Sequence, residues 1–198
     1  MYESSFDTEI VGIFVQIGGN LDLSAAERLS NLDLTGTHIE GEFRLAYTQD
    51  TKPTWQNGAL LTLRNVSANA LQDTADGWPE NLDLDGFAYR SLGVSGLQGT
   101  ADIADRGSEW FVSWLARDEP YTPQPYEQLA SVLRRMGHRE EANDVLYAGR
   151  ERARALALAN GHYWSWAGQS ALKYTIGYGF GHRYFRSLYR VLGLVFLG

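Results

Sequence analysis

Leu82-Asp83-Leu84-Asp85 is the last of five similar phrases between Asn20 and Leu97; the others are Leu21-Asp22-Leu23-Ser24, Leu32-Asp33-Leu34-Thr35, Phe43-Arg44-Leu45-Ala46 and Leu61-Thr62-Leu63-Arg64. In each phrase two apolar residues flank a polar one. In an extended chain, successive side chains point to opposite faces, so both apolar residues share one face and the polar residue faces away. The pattern therefore predicts short strands with one buried face.

The spacing of these phrases predicts how the strands are arranged. Leu21, Leu32 and Phe43 are eleven residues apart, and a five-residue step relates Leu82, Phe87, Leu92 and Leu97. A regular step with one inward apolar residue is typical of coiled repeat architectures. We expect a β-solenoid over residues 8–100, a short right-handed parallel β-helix of pentapeptide-repeat-like type. An antiparallel sandwich is the structural alternative, because short alternating strands also suit it.

Two insertions interrupt the repeat, Tyr47–Asn57 and Gln72–Glu80, and each contains a tryptophan. Loops that protrude from repeat arrays often lie on one binding face, and tryptophan is well suited to interfaces. Trp55 and Trp78 are therefore candidate partner-binding residues. In the alternative interpretation, each tryptophan seals the edge of the core. Asp73 and Asp76 do not make up a calcium-binding loop.

The pattern becomes helical after Gly107. Trp110, Phe111, Trp114 and Leu115 share one side of a helix that begins at Ser108 and could cover the end of the repeat. Tyr126–Met136 is amphipathic and ends at Gly137, and a further helix begins at Arg139. We expect a helical cap and an αα-hairpin over residues 106–160.

The last segment, residues 161–198, is rich in aromatic residues and poor in charge. Aromatic and basic residues next to an apolar run are typical of a membrane interface. The sequence predicts a membrane-proximal helical segment and the start of a possible transmembrane helix, with contacts from Trp164, Trp166, Tyr178, Arg183, Arg186 and Arg190. An aromatic helix folded against the repeat is the alternative. Arginines before a span would place the rest of the chain at the cytoplasmic face of the inner membrane.

Composition narrows the possible functions. The net charge of −7 makes a nucleic-acid partner unexpected, and the absence of cysteine excludes disulfides and thiolate metal sites. His38, His138, His162 and His182 lack metal-ligand spacing, and no glycine-rich phosphate loop or nucleophile motif is present. We therefore expect no metal, no cofactor and no catalytic residues.

Several phrases resemble a bacterial family of pentapeptide-repeat-like membrane proteins; they are Asn81–Tyr89, Trp114–Arg117, Tyr121–Ala130 and Ile176–Gly179. The resemblance covers nearly the whole chain, and Pro-Gln-Pro-Tyr-Glu-Gln-Leu-Ala at residues 123–130 is its most specific part. It implies leucine-rich coils, a helical hairpin and C-terminal membrane helices, of which this chain looks like the C-terminal part. Members are sometimes labelled membrane-associated oxidoreductases.

Together these patterns favour a non-catalytic, membrane-associated scaffold or protein-interaction module with an unknown protein partner. A carbohydrate-active or other hydrolytic β-helix enzyme is the alternative, and it would use surface acids such as Asp22, Asp33 and Asp83, provided that two of them face one cleft. A membrane-associated oxidoreductase is a weaker alternative, resting on the family label alone.

Overall fold

A computed structural model describes residues 9–46, 49–93 and 103–159 of the chain. The strands are β1 (Ile10–Val11), β2 (Gln16–Ile17), β3 (Leu21–Asp22), β4 (Leu32–Asp33), β5 (His38–Arg44), β6 (Leu60–Thr62), β7 (Ser67–Gln72), β8 (Asn81–Asp83) and β9 (Ala88–Leu92). The helices are α1 (Ser108–Leu115), α2 (Gln124–Met136) and α3 (Arg139–Ala159), with short 3-10 turns at Gln49–Thr51 and Ile103–Arg106.

The strands form two parallel sheets. One sheet has the order β1-β4-β6-β8, and the other has the order β2-β5-β7-β9, with β3 also paired to β5. In the first sheet Ile10, Leu32, Leu61 and Leu82 stand in one ladder. Partners in this ladder are 22, 29 and 21 residues apart. The insertion Tyr47–Asn57 therefore lengthens one connection without changing the register, whereas Gln72–Glu80 lies within a connection that is not lengthened.

The Leu-x-Leu phrases form buried strand ends followed by tight turns. Leu32, Leu34, Leu61, Leu63, Leu82 and Leu84 are all buried, which confirms the predicted inward face. The acid between two leucines binds the next turn of the chain: Asp33 Oδ1 accepts a hydrogen bond from the Thr35 backbone N–H at 2.9 Å. Asp22 does the same for Ser24. Short polar side chains commonly stabilise turns in this way.

The predicted fold class, a β-solenoid, is corrected: the described chain has a mixed α/β fold with two parallel sheets and three helices. The strands contain only two to seven residues, and the unequal ladder spacing is not that of a regular coil. The same-face apolar pattern on which the prediction rested arises from any strand with one buried face, so it does not specify a repeating coil.

The helices predicted within residues 106–160 are confirmed. α1 buries Phe111, Trp114 and Leu115, as its sequence pattern indicated. α2 ends at Gly137, which has a left-handed φ of 99°, and α3 begins two residues later. Side chains from both sheets and all three helices belong to one hydrophobic cluster. The helices are therefore part of the same core as the strands.

The membrane-proximal segment predicted for residues 161–198 lies outside the described residues. In residues 9–46, 49–93 and 103–159, no helix has both the length and the apolar composition needed to cross a bilayer.

Candidate interaction surface

The two insertions pack against each other and against the core. Trp55 is half-buried, and its Nε1 donates a hydrogen bond to the Gly77 carbonyl at 2.8 Å. Trp78 is only 5% exposed, and its ring centroid lies 5.0 Å from that of Trp114 in α1. These positions agree with the alternative in which the tryptophans seal the core. Partner binding by Trp55 and Trp78 stays a prediction.

A buried ion pair fixes the second insertion to the start of the helical region. Asp73 accepts a hydrogen bond from Trp78 Nε1, and Arg106 Nη2 lies 2.9 Å from its Oδ1. The Arg106 guanidinium also lies 4.4 Å from the centroid of the Trp110 ring. Burial raises the pKa of the Asp73 carboxyl, and the charge of Arg106 opposes that increase. The group therefore links the second insertion to the turn before α1 and to α1 itself.

Side chains of α2 close the outer edge of β9. Gln124 accepts a hydrogen bond from the Gly86 N–H at 3.0 Å and donates one to the Phe87 carbonyl at 3.3 Å. One turn later, Gln128 Nε2 donates to the Tyr89 carbonyl at 2.6 Å. Farther along the helix, Arg135 donates to the Arg90 carbonyl at 3.1 Å. The backbone groups along this edge are thus hydrogen-bonded to side chains instead of to another strand.

The outer edge of β8 is closed by backbone. The Leu82 N–H donates to the Arg117 carbonyl at 3.2 Å, and the Glu119 N–H donates to the Leu82 carbonyl at 3.2 Å. Between them, Asp118 is 1% exposed and accepts a hydrogen bond from the Leu84 N–H at 2.7 Å. Burial raises the pKa of Asp118 to about 6. Arg152 of α3 donates to the Asp118 carbonyl at 2.7 Å and so holds this segment in place.

The opposite edge of the sheets, which we call the open edge, consists of residues 10–17 in β1, β2 and the turn between them. Backbone N–H groups of Ile10, Gly12 and Phe14 donate to carbonyls on the β4 side. No described residue pairs with the other side of β1. The exposed large apolar side chains of the described chain are concentrated here; only Leu156 and Leu158 lie elsewhere, and the others are Ile10, Val11, Ile13, Phe14 and Val15.

Phe14 is the most exposed large apolar residue of the open edge. Its side chain is 77% exposed, and its backbone φ is +55°, a left-handed conformation that is costly for a bulky residue. The ring covers Gly36, where any side chain would overlap it. Gly36, Asn65 and Gly86 occupy the corresponding positions after the later strands, also with positive φ. An aromatic side chain therefore stands where the inner layers have glycine or asparagine.

The charge near the open edge is acidic. Residues 9–31 contain Glu9, Asp22 and Glu27 against the single base Arg28, and all three acids are exposed. Asp22 is paired with Arg44 of β5 at 3.1 Å. Because Arg44 neutralises Asp22, the acidic surround of the apolar edge consists of Glu9 and Glu27.

No family model, curated protein or solved structure matches this chain. The family resemblance given by the sequence phrases therefore stays a prediction. Its most specific phrase, Pro123–Ala130, contains the two glutamines that close the β9 edge. In this structure that phrase has a structural role.

The acids proposed for a hydrolytic site have separate positions. Asp33 and Asp83 belong to the first sheet, whereas Asp22 in β3 pairs with the second. Arg64 binds Asp83 at 2.7 Å. In the described residues, no group of three or more metal-ligating side chains is assembled. Each acid supports a turn or pairs with an arginine, and the structure does not bring the three together.

The predicted membrane-proximal residues lie outside the described residues; they are Trp164, Trp166, Tyr178, Arg183, Arg186 and Arg190. The open edge, in contrast, was missed at the level of sequence. Its signal was the run Ile10-Val11-Gly12-Ile13-Phe14-Val15, which lacks the polar alternation found in the later phrases. Strands with apolar residues on both faces are usually covered on both faces. This run therefore indicated an apolar surface that needs a cover.

Proposed function

We propose that this protein is a non-catalytic protein-interaction module whose open edge binds an extended segment of a partner protein. The observation that carries the proposal is the exposed apolar surface of Ile10–Val15 on a strand edge without a described partner. Exposed apolar strand edges are normally covered or blunted, because they otherwise recruit other chains. Adding a partner strand to a sheet edge is an established mode of peptide recognition.

The chemistry of the open edge defines the partner segment. Both sheets are parallel, so a strand that continues them runs in the same direction as β1 and β2. Alternate side chains of the segment would be apolar and would pack on Val11 and Phe14. The exposed acids Glu9 and Glu27 favour lysine or arginine at its flanks. For the same reason, with a net charge of −7, a second copy of this chain is a less suitable occupant.

The experiment measures binding of a designed peptide to the full chain. The probe is a nine-residue peptide of alternating valine and threonine with two lysines at each end and a fluorescent label. We expect saturable binding by fluorescence anisotropy. A peptide with glutamates in place of the lysines should bind at least tenfold more weakly, because it faces the acidic surround. A peptide N-methylated at alternate residues should not bind, because it cannot form the strand ladder.

Variants of the chain test the surface itself. Val11→Asp and Phe14→Asn should each weaken binding of the lysine-flanked peptide at least tenfold. Phe14→Asn introduces a residue that tolerates a left-handed φ, so it should leave the fold intact. Leu158→Asn, at the exposed end of α3, is the matched control and should leave binding unchanged. The proposal would be contradicted if the N-methylated peptide bound as tightly as the lysine-flanked peptide, or if Val11→Asp had no effect on binding. It would also be contradicted if sedimentation equilibrium showed a dimer that Phe14→Asn dissociates, because the edge would then bind a second copy of the chain.

A further inference from the structure

A cleft of about 500 Å³ lies on the outward face of the second sheet, between β5 and α2. Its floor is formed by β5, β7 and β9, and α2 forms one wall through Gln128 and Arg135. The residues Glu40, Asn69 and Arg90 stand side by side across the three strands. The cleft thus presents charged groups of opposite sign at its two ends.

Two arginines form the basic end of the cleft. Arg135 is oriented by hydrogen bonds from its guanidinium to Ser131 Oγ at 2.8 Å and to the Arg90 carbonyl at 3.1 Å. Arg90 is exposed at the end of the same row. In the part of the chain that the structure describes, neither guanidinium has a carboxylate within 4.0 Å, although acids outnumber bases in the sequence.

The acidic end is shaped by an irregularity in β5. The pairing of β5 with β7 shifts between Ile39 and Glu42, so Glu40 and Gly41 together face Asn69. A side chain at Gly41 would come within 2.8 Å of the Gly19 backbone, so glycine is required for this bulge. Bulges commonly change the direction of one side chain at a functional position. On the same face His38 Nδ1 lies 2.6 Å from Ser67 Oγ, which adds polar groups to the cleft.

We propose that this cleft binds a small zwitterion. Its anionic group, a carboxylate or a phosphate, is held by Arg90 and Arg135, and its ammonium group is held by Glu40. Two strand spacings separate Glu40 from Arg90, which is about 10 Å between their backbone positions. Arginine binds carboxylate and phosphate with two parallel hydrogen bonds, so it suits either anion. Asn69, in the middle of the row, can hydrogen-bond a polar group between the two ends.

The experiment monitors backbone amide shifts of Asn69 and Arg90 by NMR while the full chain is titrated with defined probes. The probes are 6-aminohexanoate, its phosphate analogue 6-aminohexyl phosphate, hexanoate without the ammonium group, and adipate with two carboxylates. We expect saturable shifts with at least one of the two zwitterions, at a Kd at least fivefold lower than for hexanoate or adipate. The better of the two zwitterions identifies the anion.

Variants assign the two ends of the cleft. Arg90→Gln and Arg135→Gln should each raise the Kd of the better zwitterion at least tenfold. Glu40→Gln should remove the preference for the zwitterion over hexanoate while hexanoate binding persists. Arg139→Gln, an exposed arginine at the start of α3, is the matched control. Absence of saturable shifts with every probe would overturn the proposal, and so would binding that is insensitive to Arg90→Gln in a variant whose amide spectrum shows the native fold.

Discussion

The two ends of the sheet pair differ in how their edges are treated. At the end formed by β8 and β9, the backbone groups are bound by the segment Arg117–Glu119 and by side chains of α2. At the end formed by β1 and β2, apolar side chains are exposed and no described segment covers the strand edge. The strands at both ends carry the same kind of parallel ladder, so the difference comes from the helical region, which packs on one end only.

The two ends of the sheets also differ in the surroundings of their aromatic residues. At the closed end, formed by β8 and β9, two tryptophans are buried, and one of them, Trp114, packs between Trp78 and Trp110. The open edge holds an aromatic residue, Phe14, that is mostly exposed and lies in a costly backbone conformation. Residues that stabilise the fold and residues available to a partner thus lie at opposite ends of the sheets.

The largest expected effect comes from replacing one aromatic residue at each end. Trp114→Ala should lower the free energy of unfolding by about 3–5 kcal/mol, because it removes a buried indole from the core. Phe14→Ala should lower it by less than about 1 kcal/mol, since most of its ring is already in water. Urea denaturation of both variants measures the difference. Similar losses at the two positions would remove the distinction between the ends.

The titration of Asp118 should make the stability of the closed end depend on pH. Its pKa is raised from 3.8 to about 6 in the folded state, so the folded chain binds a proton more tightly than the unfolded chain. The contribution of Asp118 to the free energy of unfolding should therefore fall as the pH rises from about 4 to about 6. Asp118→Asn keeps an oxygen to accept the Leu84 N–H and cannot titrate. At pH 7 its stability relative to wild type should be higher by about 1–2 kcal/mol than at pH 4.

The comparison of Asp118→Asn with wild type requires urea denaturation at several pH values between 4 and 8. Taking the difference between the two proteins at each pH cancels the titration of all other groups. If the difference is constant across this range, Asp118 does not titrate with a raised pKa, and the closed end has no pH dependence of this origin.

The smallest expected effect on stability comes from removing a side chain that hydrogen-bonds to the outer edge of β9. Gln128→Ala leaves the Tyr89 carbonyl without its donor and should lower the free energy of unfolding by about 1 kcal/mol. Glu127→Ala changes the exposed neighbouring residue on the same helix and should alter it by less than about 0.5 kcal/mol. Faster hydrogen exchange of β9 amides in the Gln128 variant would show loosening of this edge. Equal exchange in both variants would show that the glutamine does not secure it.

The sequence predicted individual elements better than their assembly. The inward leucines and the positions of the three helices could be derived from local patterns, because burial and helix ends leave direct signals in the residues. The fold class could not, since the same apolar alternation serves several arrangements of strands. The unequal distances of 22, 29 and 21 residues between ladder partners depend on loop packing, which no periodicity encodes.

The candidate sites were harder to predict for a physical reason. Tryptophan suits an interface and a core equally well, so residue type alone cannot distinguish the two for Trp55 and Trp78, and only their packing shows their surroundings. The cleft residues Glu40, Asn69 and Arg90 are far apart in sequence and meet through strand register alone. The open edge had a local signal in Ile10–Val15, but its exposure depends on which strands pair.

The unequal sequence separations between ladder partners also show where this chain can accept additional residues. Leu32 and Leu61 are 29 residues apart and Leu61 and Leu82 are 21 apart, yet all three remain aligned in the same ladder. The extra residues lie in the connection between β5 and β6. Because lengthening a loop costs only about 0.6 kcal/mol per doubling, the exposed turn at Asp50–Thr51 is a natural position for grafting a foreign epitope or reporter into this scaffold.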